Sequence, residues 1–261
     1  MTEQADARLQ EDLDRIEAAV REGATDLRAL GFWPIVARIK RAPSPGRWAE
    51  PVGRIDRLAF EGRTRLRLPV WVGNAVLLVE TLVAAALIPV ALALAEGRPP
   101  RPALAGILLL ASAGALAVGV HGPTHWVTGR LRGIAFVAWF LKGPFLAPGL
   151  KVDYASYLRA EPRARAAMHA SGALATKTAP FVVFGAAYWR HARAGWELLP
   201  EWSLWGLLGM GALMIFTDVV FSTKRSDWKK VRRERRVARD RETAGGIMGP
   251  ESRPGSSGQP G

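Results

Sequence analysis

The chain of 261 residues contains no cysteine. This absence excludes disulfides, thiolate metal sites, iron–sulfur clusters and cysteine nucleophiles, so any metal or covalent chemistry must use other side chains. Acidic residues are also few, because 23 Asp and Glu stand against 36 Lys and Arg and leave a net charge of +13. So basic a chain predicts an anionic partner, which is either nucleic acid or a lipid surface.

Charged residues are nearly absent from four long stretches of the chain. These are residues 69–94, 103–120, 171–189 and 203–223. Their only charges are Glu80, Lys177 and Asp218, and their lengths match the apolar run that crosses a bilayer. We therefore expect an all-α, polytopic membrane protein with about four transmembrane helices, the third kinked at Pro180. The alternative, four buried helices of a soluble core, fits these lengths less well.

Basic residues are distributed unevenly around these stretches. The loop between the second and third spans carries seven Lys and Arg against two acids, and residues 224–241 carry ten against three. The other two connections are nearly neutral. Because cytoplasmic loops carry an excess of Lys and Arg, the pattern predicts a multi-pass protein of the cell membrane with both termini in the cytoplasm.

The composition divides the chain into four predicted units. They are a cytoplasmic N-terminal helical segment (1–68), a membrane domain (69–223), a basic juxtamembrane helix (224–243) and a disordered tail rich in Gly, Ser and Pro (244–261). Residues 1–27 are acidic with helical apolar spacing, and they either form a partner-binding arm or fold onto basic parts of the chain. Residues 28–68 are basic, and they either lie on anionic lipid or pack on the protein.

The basic helix is the predicted contact with the bilayer, through anionic lipid headgroups at the cytoplasmic face. Its lipid-facing residues are predicted to be Lys224, Arg225, Lys229, Lys230, Arg232 and Arg233. Trp228 and Val231 among these cations favour a helix lying along the inner leaflet. Because basic residues beside a span usually serve orientation and lipid contact, we expect no specific nucleic acid. A membrane protein or a transmembrane helix is the other expected partner.

Polar side chains within the spans are the best candidates for functional residues, because they are energetically costly in hydrocarbon unless they are paired. His121 and His125 stand four residues apart, so both imidazoles lie on one helix face and can share a metal. Asp218 is the only carboxylate of the fourth span, and its depth lies within one or two turns of the histidines. These three residues are the predicted metal ligands. Glu80 and Lys177 have opposite charges at overlapping depth and are predicted to form an ion pair.

A family resemblance is carried by these residues. The segment 121–125, His-Gly-Pro-Thr-His, resembles the zinc-binding H-E-x-x-H helix of site-2-protease-type intramembrane metallopeptidases. Three later features of that family, a membrane-associated hairpin rich in Gly and Pro, a span opening with small residues and a third-ligand aspartate, are matched at residues 143–149, 170–175 and 218. The resemblance covers residues 69–226. It implies a hairpin between spans two and three, and zinc bound by His121, His125 and Asp218.

The sequence departs from this family at the position of the catalytic base. Gly122 stands where the family has the Glu that activates the zinc-bound water. The aspartate is followed by Val219 instead of Gly, and Pro123 interrupts the hydrogen bonding of the helix. We therefore expect a metal-binding but proteolytically inactive relative. Two alternatives remain open: an active peptidase with a substitute base, and a small transporter or scaffold that uses Glu80 and Lys177.

Overall fold

The computed structural model describes residues 3–142, 147–220 and 226–246. The described chain is mostly helical, as expected for the all-α class, with one small sheet. The helices are α1 (Glu3–Arg21), α2 (Phe32–Arg41), α3 (Ala49–Arg63), α4 (Val70–Glu96), α5 (Pro102–Leu131), α6 (Tyr154–Arg159), α7 (Pro162–Arg193), α8 (Glu201–Val220) and α9 (Asp227–Gly246). The strands are β1 (Arg67–Leu68), β2 (Phe136–Lys142) and β3 (Ala147–Val152), and β2 pairs antiparallel with both others.

The first three helices form a layer with its own apolar core. The apolar stripe of α1 is buried, as the helical spacing predicts, and so are Phe32, Ile35 and Val36 of α2. The basic segment 28–68 was predicted either to lie on anionic lipid or to pack on the protein, and in the structure it packs on the protein. Glu17 of α1 accepts two hydrogen bonds from Arg54 of α3, each of 2.8 Å. The acidic helix therefore folds onto the basic part of the same chain.

Helices α4, α5, α7 and α8 contain the four apolar stretches and share a second core. That core consists mainly of alanines and leucines, such as Ala91, Leu109 and Leu207. Small side chains allow the helix axes to approach closely. Among the described residues, two helices, α4 and α5, are long and apolar enough to cross a membrane. The third and fourth spans, in α7 and α8, stay predictions, and so does a kink at Pro180 inside α7.

The expected hairpin between the second and third apolar stretches is present as the antiparallel pair β2 and β3. Residues 143–146, which connect the two strands and contain part of the Gly- and Pro-rich segment, lie outside the described residues. The sheet lies beside the N-terminal half of α4, where Trp139 of β2 donates a hydrogen bond of 3.1 Å to Asn74. The strands therefore cover one side of α4 and α5 near the histidines.

Helix α9 packs against α7 and α2 rather than presenting its apolar side to lipid. Val231, which was expected to lie on the inner leaflet, is 1% exposed, and Trp228 is half-buried. The exposed side of the helix does carry Arg232 and Arg233, whereas Lys229 and Lys230 are half-buried. Lys224 and Arg225 lie outside the described residues.

A buried ion cluster holds α9 in place. The Glu234 carboxylate, 1% exposed, accepts hydrogen bonds from Lys40 of α2 at 2.6 Å and from Arg165 of α7 at 2.7 Å. It also accepts a hydrogen bond from the Tyr157 hydroxyl of α6 at 3.0 Å. Burial would raise the pKa of Glu234, but the charges of Lys40 and Arg165 outweigh burial and lower it. One ionised carboxylate therefore joins four helices.

Replacement of Glu234→Ala should strongly destabilise the protein. The change leaves the ammonium of Lys40 and the guanidinium of Arg165 buried without a counter-charge, which costs about 3–5 kcal/mol in the free energy of unfolding. Glu242→Ala is the control, because Glu242 on the same helix pairs with Arg163 at an exposed position and should cost less than about 1 kcal/mol. Denaturant titration in mild detergent measures both; equal losses would contradict a special role for Glu234.

Candidate metal centre

The two predicted histidines lie together near the C-terminal end of α5. Their ring centroids are 4.7 Å apart, and both rings face α7. Gly172 of α7 allows this approach, because a Cβ at that position would overlap the His125 ring. The helical spacing that suggested a shared site is therefore realised as a pair of imidazoles between two closely packed helices.

The third acidic group of the site is Asp227, at the start of α9. Its Oδ2 lies 3.3 Å from Nε2 of His125 and 3.6 Å from Nε2 of His121. Ligand atoms of these three residues all lie within 4.8 Å of one another. The prediction of Asp218 as third ligand is corrected by this geometry, since Asp218 forms an ion pair with Lys177 instead.

The hydrogen bonds of the two imidazoles show which nitrogen of each ring carries the proton and which nitrogen is free to accept. Nδ1 of His125 lies 2.6 Å from the carbonyl oxygen of Met168, and Nδ1 of His121 lies 3.2 Å from that of Gly172. A carbonyl only accepts, so each Nδ1 carries the proton of the neutral ring. Thr176 agrees with this assignment, because its hydroxyl donates to Gly172 and its oxygen, 2.9 Å away, accepts from His121. Both Nε2 atoms therefore present lone pairs.

When both rings are neutral, Nε2 of His121, Nε2 of His125 and the Asp227 carboxylate face one another as three acceptors, and none of them carries a proton to donate. Burial would raise the pKa of Asp227, but interaction with a protonated His125 and with the Lys230 ammonium outweighs burial and holds the pKa well below its usual range. The Lys230 ammonium, 2.8 Å from Oδ1 of Asp227, favours the ionised carboxylate in either state of the rings. A metal ion between the acceptors would satisfy all three, whereas one proton on Nε2 of His125 would join only His125 to Asp227, and protonation of both histidines would place two cationic rings side by side.

The donor set and its spacing fit a divalent metal of the zinc type. Two ligands bound tetrahedrally at about 2.0–2.1 Å lie about 3.4 Å from each other, and the two distances to Asp227 are 3.3 and 3.6 Å. The backbone carbonyls that accept from Nδ1 are the orienting partners typical of metal-binding histidines. His121, His125 and Asp227 could therefore hold such an ion.

Sequence reasoning missed two residues of this cluster, Asp227 and His169. Asp227 belongs to the basic segment after the last span and not to a span, so it was outside the search for intramembrane carboxylates. His169 lies outside the four apolar stretches, and its Nδ1 lies 3.8 Å from Oδ1 of Asp227. Its Nε2 lies 3.0 Å from the Tyr157 hydroxyl, which donates to Glu234. No local pattern in the sequence distinguishes either residue.

Trp139 occupies the space beside Gly122, the position at which the family that the sequence resembles has a glutamate. A Cβ on Gly122 of α5 would overlap the Trp139 ring, and so would a Cβ on Gly73 of α4. The indole of β2 therefore lies in a slot that two glycines leave open between the helices. A glutamate side chain at residue 122 has no room while Trp139 is in this slot.

The predicted ion pair between Glu80 and Lys177 is also corrected. Lys177 pairs with Asp218 of α8, and within the described part of the chain no cation lies within ion-pair distance of Glu80. Glu80 lines an apolar cavity of about 360 Å³ between α4 and the sheet, while His121 lines a separate cavity of about 230 Å³. Trp139 lines both cavities, so its ring stands between Glu80 and the metal centre.

We expect Gly122→Ala to destabilise the protein by about 1–3 kcal/mol, because the new methyl group must displace the Trp139 ring. In a Trp139→Ala background the same change should lower the free energy of unfolding much less, so the effects of the two substitutions should be non-additive. Gly114→Ala is the matched control on α5, since nothing lies within 4 Å of its Cβ position. Unfolding free energies measured in detergent check this, and additive effects would show that Trp139 does not fill the slot.

Comparison with known proteins gave no relative. The chain matches no protein-family model, no curated protein and no solved structure.

Proposed function

We propose that this chain is a multi-pass membrane protein that binds one divalent metal ion, zinc by its ligand chemistry, and has no peptidase activity. The observation that carries the proposal is the convergence of three acceptor atoms, from His121, His125 and Asp227, around one point. Because the Nδ1 atoms are committed to carbonyl groups, a metal ion between the three acceptors would make this arrangement favourable. The proposal includes a relation to site-2-type metallopeptidases, supported by the order of the histidine helix and the hairpin; the aspartate beside the histidines is Asp227 and not Asp218, the one that the resemblance implies.

The arrangement around Gly122 supports the lack of peptidase activity. Hydrolysis at zinc needs a group that takes a proton from the bound water, within hydrogen-bond reach. Among the described residues that line the cavity beside His121 there is no carboxylate. Glu80 of α4 lines the neighbouring cavity, on the other side of the Trp139 ring. A bound metal would supply a cationic centre that joins α5 to α9, which is a structural role.

The surface of the helical bundle supports insertion in a membrane with four spans. Large apolar side chains are exposed on α4, α5, α7 and α8, for example Leu82, Ile107, Val182 and Leu213, each more than half exposed. A soluble protein rarely exposes so continuous an apolar surface. Exposed tryptophans gather where α7 ends and α8 begins, including Trp196, and such residues are typical of the membrane–water interface.

Metal content measures the central part of this proposal. Protein purified in mild detergent without a histidine tag should contain about one zinc per chain, as the three-ligand site implies. His125→Ala and Asp227→Asn should lose the metal, because each removes a ligand. Asp218→Asn should retain it, because Asp218 pairs with Lys177 and not with the histidines. Elemental analysis measures the content, and circular dichroism checks that each variant is folded.

Two results would contradict the metal site. One is the absence of metal from folded wild-type protein even after incubation with zinc. The other is an equal loss of metal from Asp218→Asn and Asp227→Asn, which would restore Asp218 as the ligand. X-ray absorption at the zinc edge provides a second measurement that needs no variant, and it should show two imidazole nitrogens among the ligands.

Membrane topology can be measured by single-cysteine labelling, because the natural chain has no cysteine. With four spans and both termini inside, an impermeant maleimide should label Arg98→Cys and Glu197→Cys in intact cells. Glu11→Cys and Arg239→Cys should react only after permeabilisation. All four positions are exposed, so a failure to react reflects the membrane and not burial. Labelling of Arg239→Cys in intact cells would contradict the proposed orientation.

A further inference from the structure

Two neighbouring cavities lie between the N-terminal helices and α9, apart from the metal ligands. Their volumes are about 920 Å³ and 410 Å³, and Lys40, Tyr154 and Arg233 line both. Volumes of this size are typical of sites for small molecules. The two cavities therefore form one concave region, which we call the basic cleft.

The basic cleft is lined by many cations and one anion. Its cationic lining residues are Arg28, Lys40, Arg41, Lys151, Lys230 and Arg233. Among the described lining residues Glu234 is the one carboxylate, and it already accepts hydrogen bonds from Lys40, Arg165 and Tyr157. Lys151 pairs with Asp56 and Lys230 pairs with Asp227. In the part of the chain that the structure describes, Arg233 forms no ion pair.

The charge around Glu234 is not balanced by the protein. Lys40 and Arg165 donate to this single carboxylate, which leaves one buried positive charge in excess. Arg233, exposed on the same helix as Glu234, adds a further positive charge near Lys40. Nη2 of Arg165, in a side chain that is fully buried, has no hydrogen-bond partner among the described residues. Burial lowers the pKa of Lys40, and the charges of Arg165 and Arg233 lower it further, against the opposing effect of Glu234. A bound anion would offset this excess.

Aromatic rings form the other wall of the basic cleft. The rings of Trp33 and Tyr154 are 5.5 Å apart, and those of Tyr154 and Tyr157 are 5.3 Å apart. Trp33 is 37% exposed, so part of its face is available to a ligand. Flat apolar surface beside paired cations suits an anion that carries an organic group.

We propose that the basic cleft binds a phosphate monoester, with Lys40 and Arg233 contacting the phosphate and Trp33 contacting its organic group. A monoester carries a charge of about −1.5 to −2 at neutral pH, which would offset the excess buried charge at Glu234 together with the charge of Arg233. Arg and Lys are the side chains that bind phosphate most effectively, through charge-assisted hydrogen bonds. The ester is either a soluble compound or the headgroup of a lipid such as phosphatidic acid. The proposal does not depend on a metal at His121 and His125.

The test uses the full chain in nanodiscs of phosphatidylcholine and measures the binding of phenyl phosphate by calorimetry. Arg233→Gln should weaken binding about tenfold, as expected for one charge-assisted contact. Arg236→Gln is the matched control, because Arg236 is exposed on the same helix and lines neither cavity; its effect should be under about twofold. Trp33→Ala should weaken phenyl phosphate but not inorganic phosphate.

A second set of discs distinguishes the two sources of the phosphate. If a lipid headgroup fills the cleft, phenyl phosphate should bind more weakly in discs with phosphatidic acid than in discs with phosphatidylglycerol, whose phosphate is a diester. If the ligand is soluble, the two discs should give equal binding. Absence of saturable phenyl phosphate binding in phosphatidylcholine discs would overturn the proposal, and so would equal effects of Arg233→Gln and Arg236→Gln.

Discussion

The buried carboxylate of Glu234 is the constraint on which the packing of α9 against the N-terminal helices and α7 depends. It is shared by Lys40, Arg165 and Tyr157, so α2, α6, α7 and α9 meet at one ionised group. Burying these charges costs hydration free energy, so the cluster is favourable only when every partner is in place. It therefore favours one specific packing of the four helices. Because α9 is fixed by this cluster, its first residue, Asp227, is brought to the end of α5.

The metal centre is a consequence of this placement. The histidines supply two lone pairs at the end of a helix in the apolar bundle, and Asp227 supplies the charge from outside that bundle. A metal at this position would connect the apolar helical bundle to the N-terminal helical layer through α9. The same helix lines the basic cleft through Arg233, so the metal centre and the cleft share one structural element. Occupation of either site would restrict the movement of α9.

Gly122 has a packing role of its own. Together with Gly73 it makes room for Trp139, and so it allows the sheet to lie close to α4 and α5. The hydrogen bond from Trp139 to Asn74 fixes the ring there. An aromatic side chain therefore fills the space beside residue 122, and this favours a structural role for an ion at the proposed site.

Features that depend on neighbours in the sequence could be predicted from the sequence alone. These include the long apolar helices, the buried stripe of α1 and the pairing of His121 with His125, because composition and helical periodicity are local properties. Three other features depend on the tertiary structure: Asp227 and not Asp218 lies beside the histidines, Lys177 pairs with Asp218, and Trp139 lies beside Gly122. Each of these joins segments far apart in the chain. Depth along a helix restricts which side chains could meet, but only the rotation and packing of the helices determine which of them do.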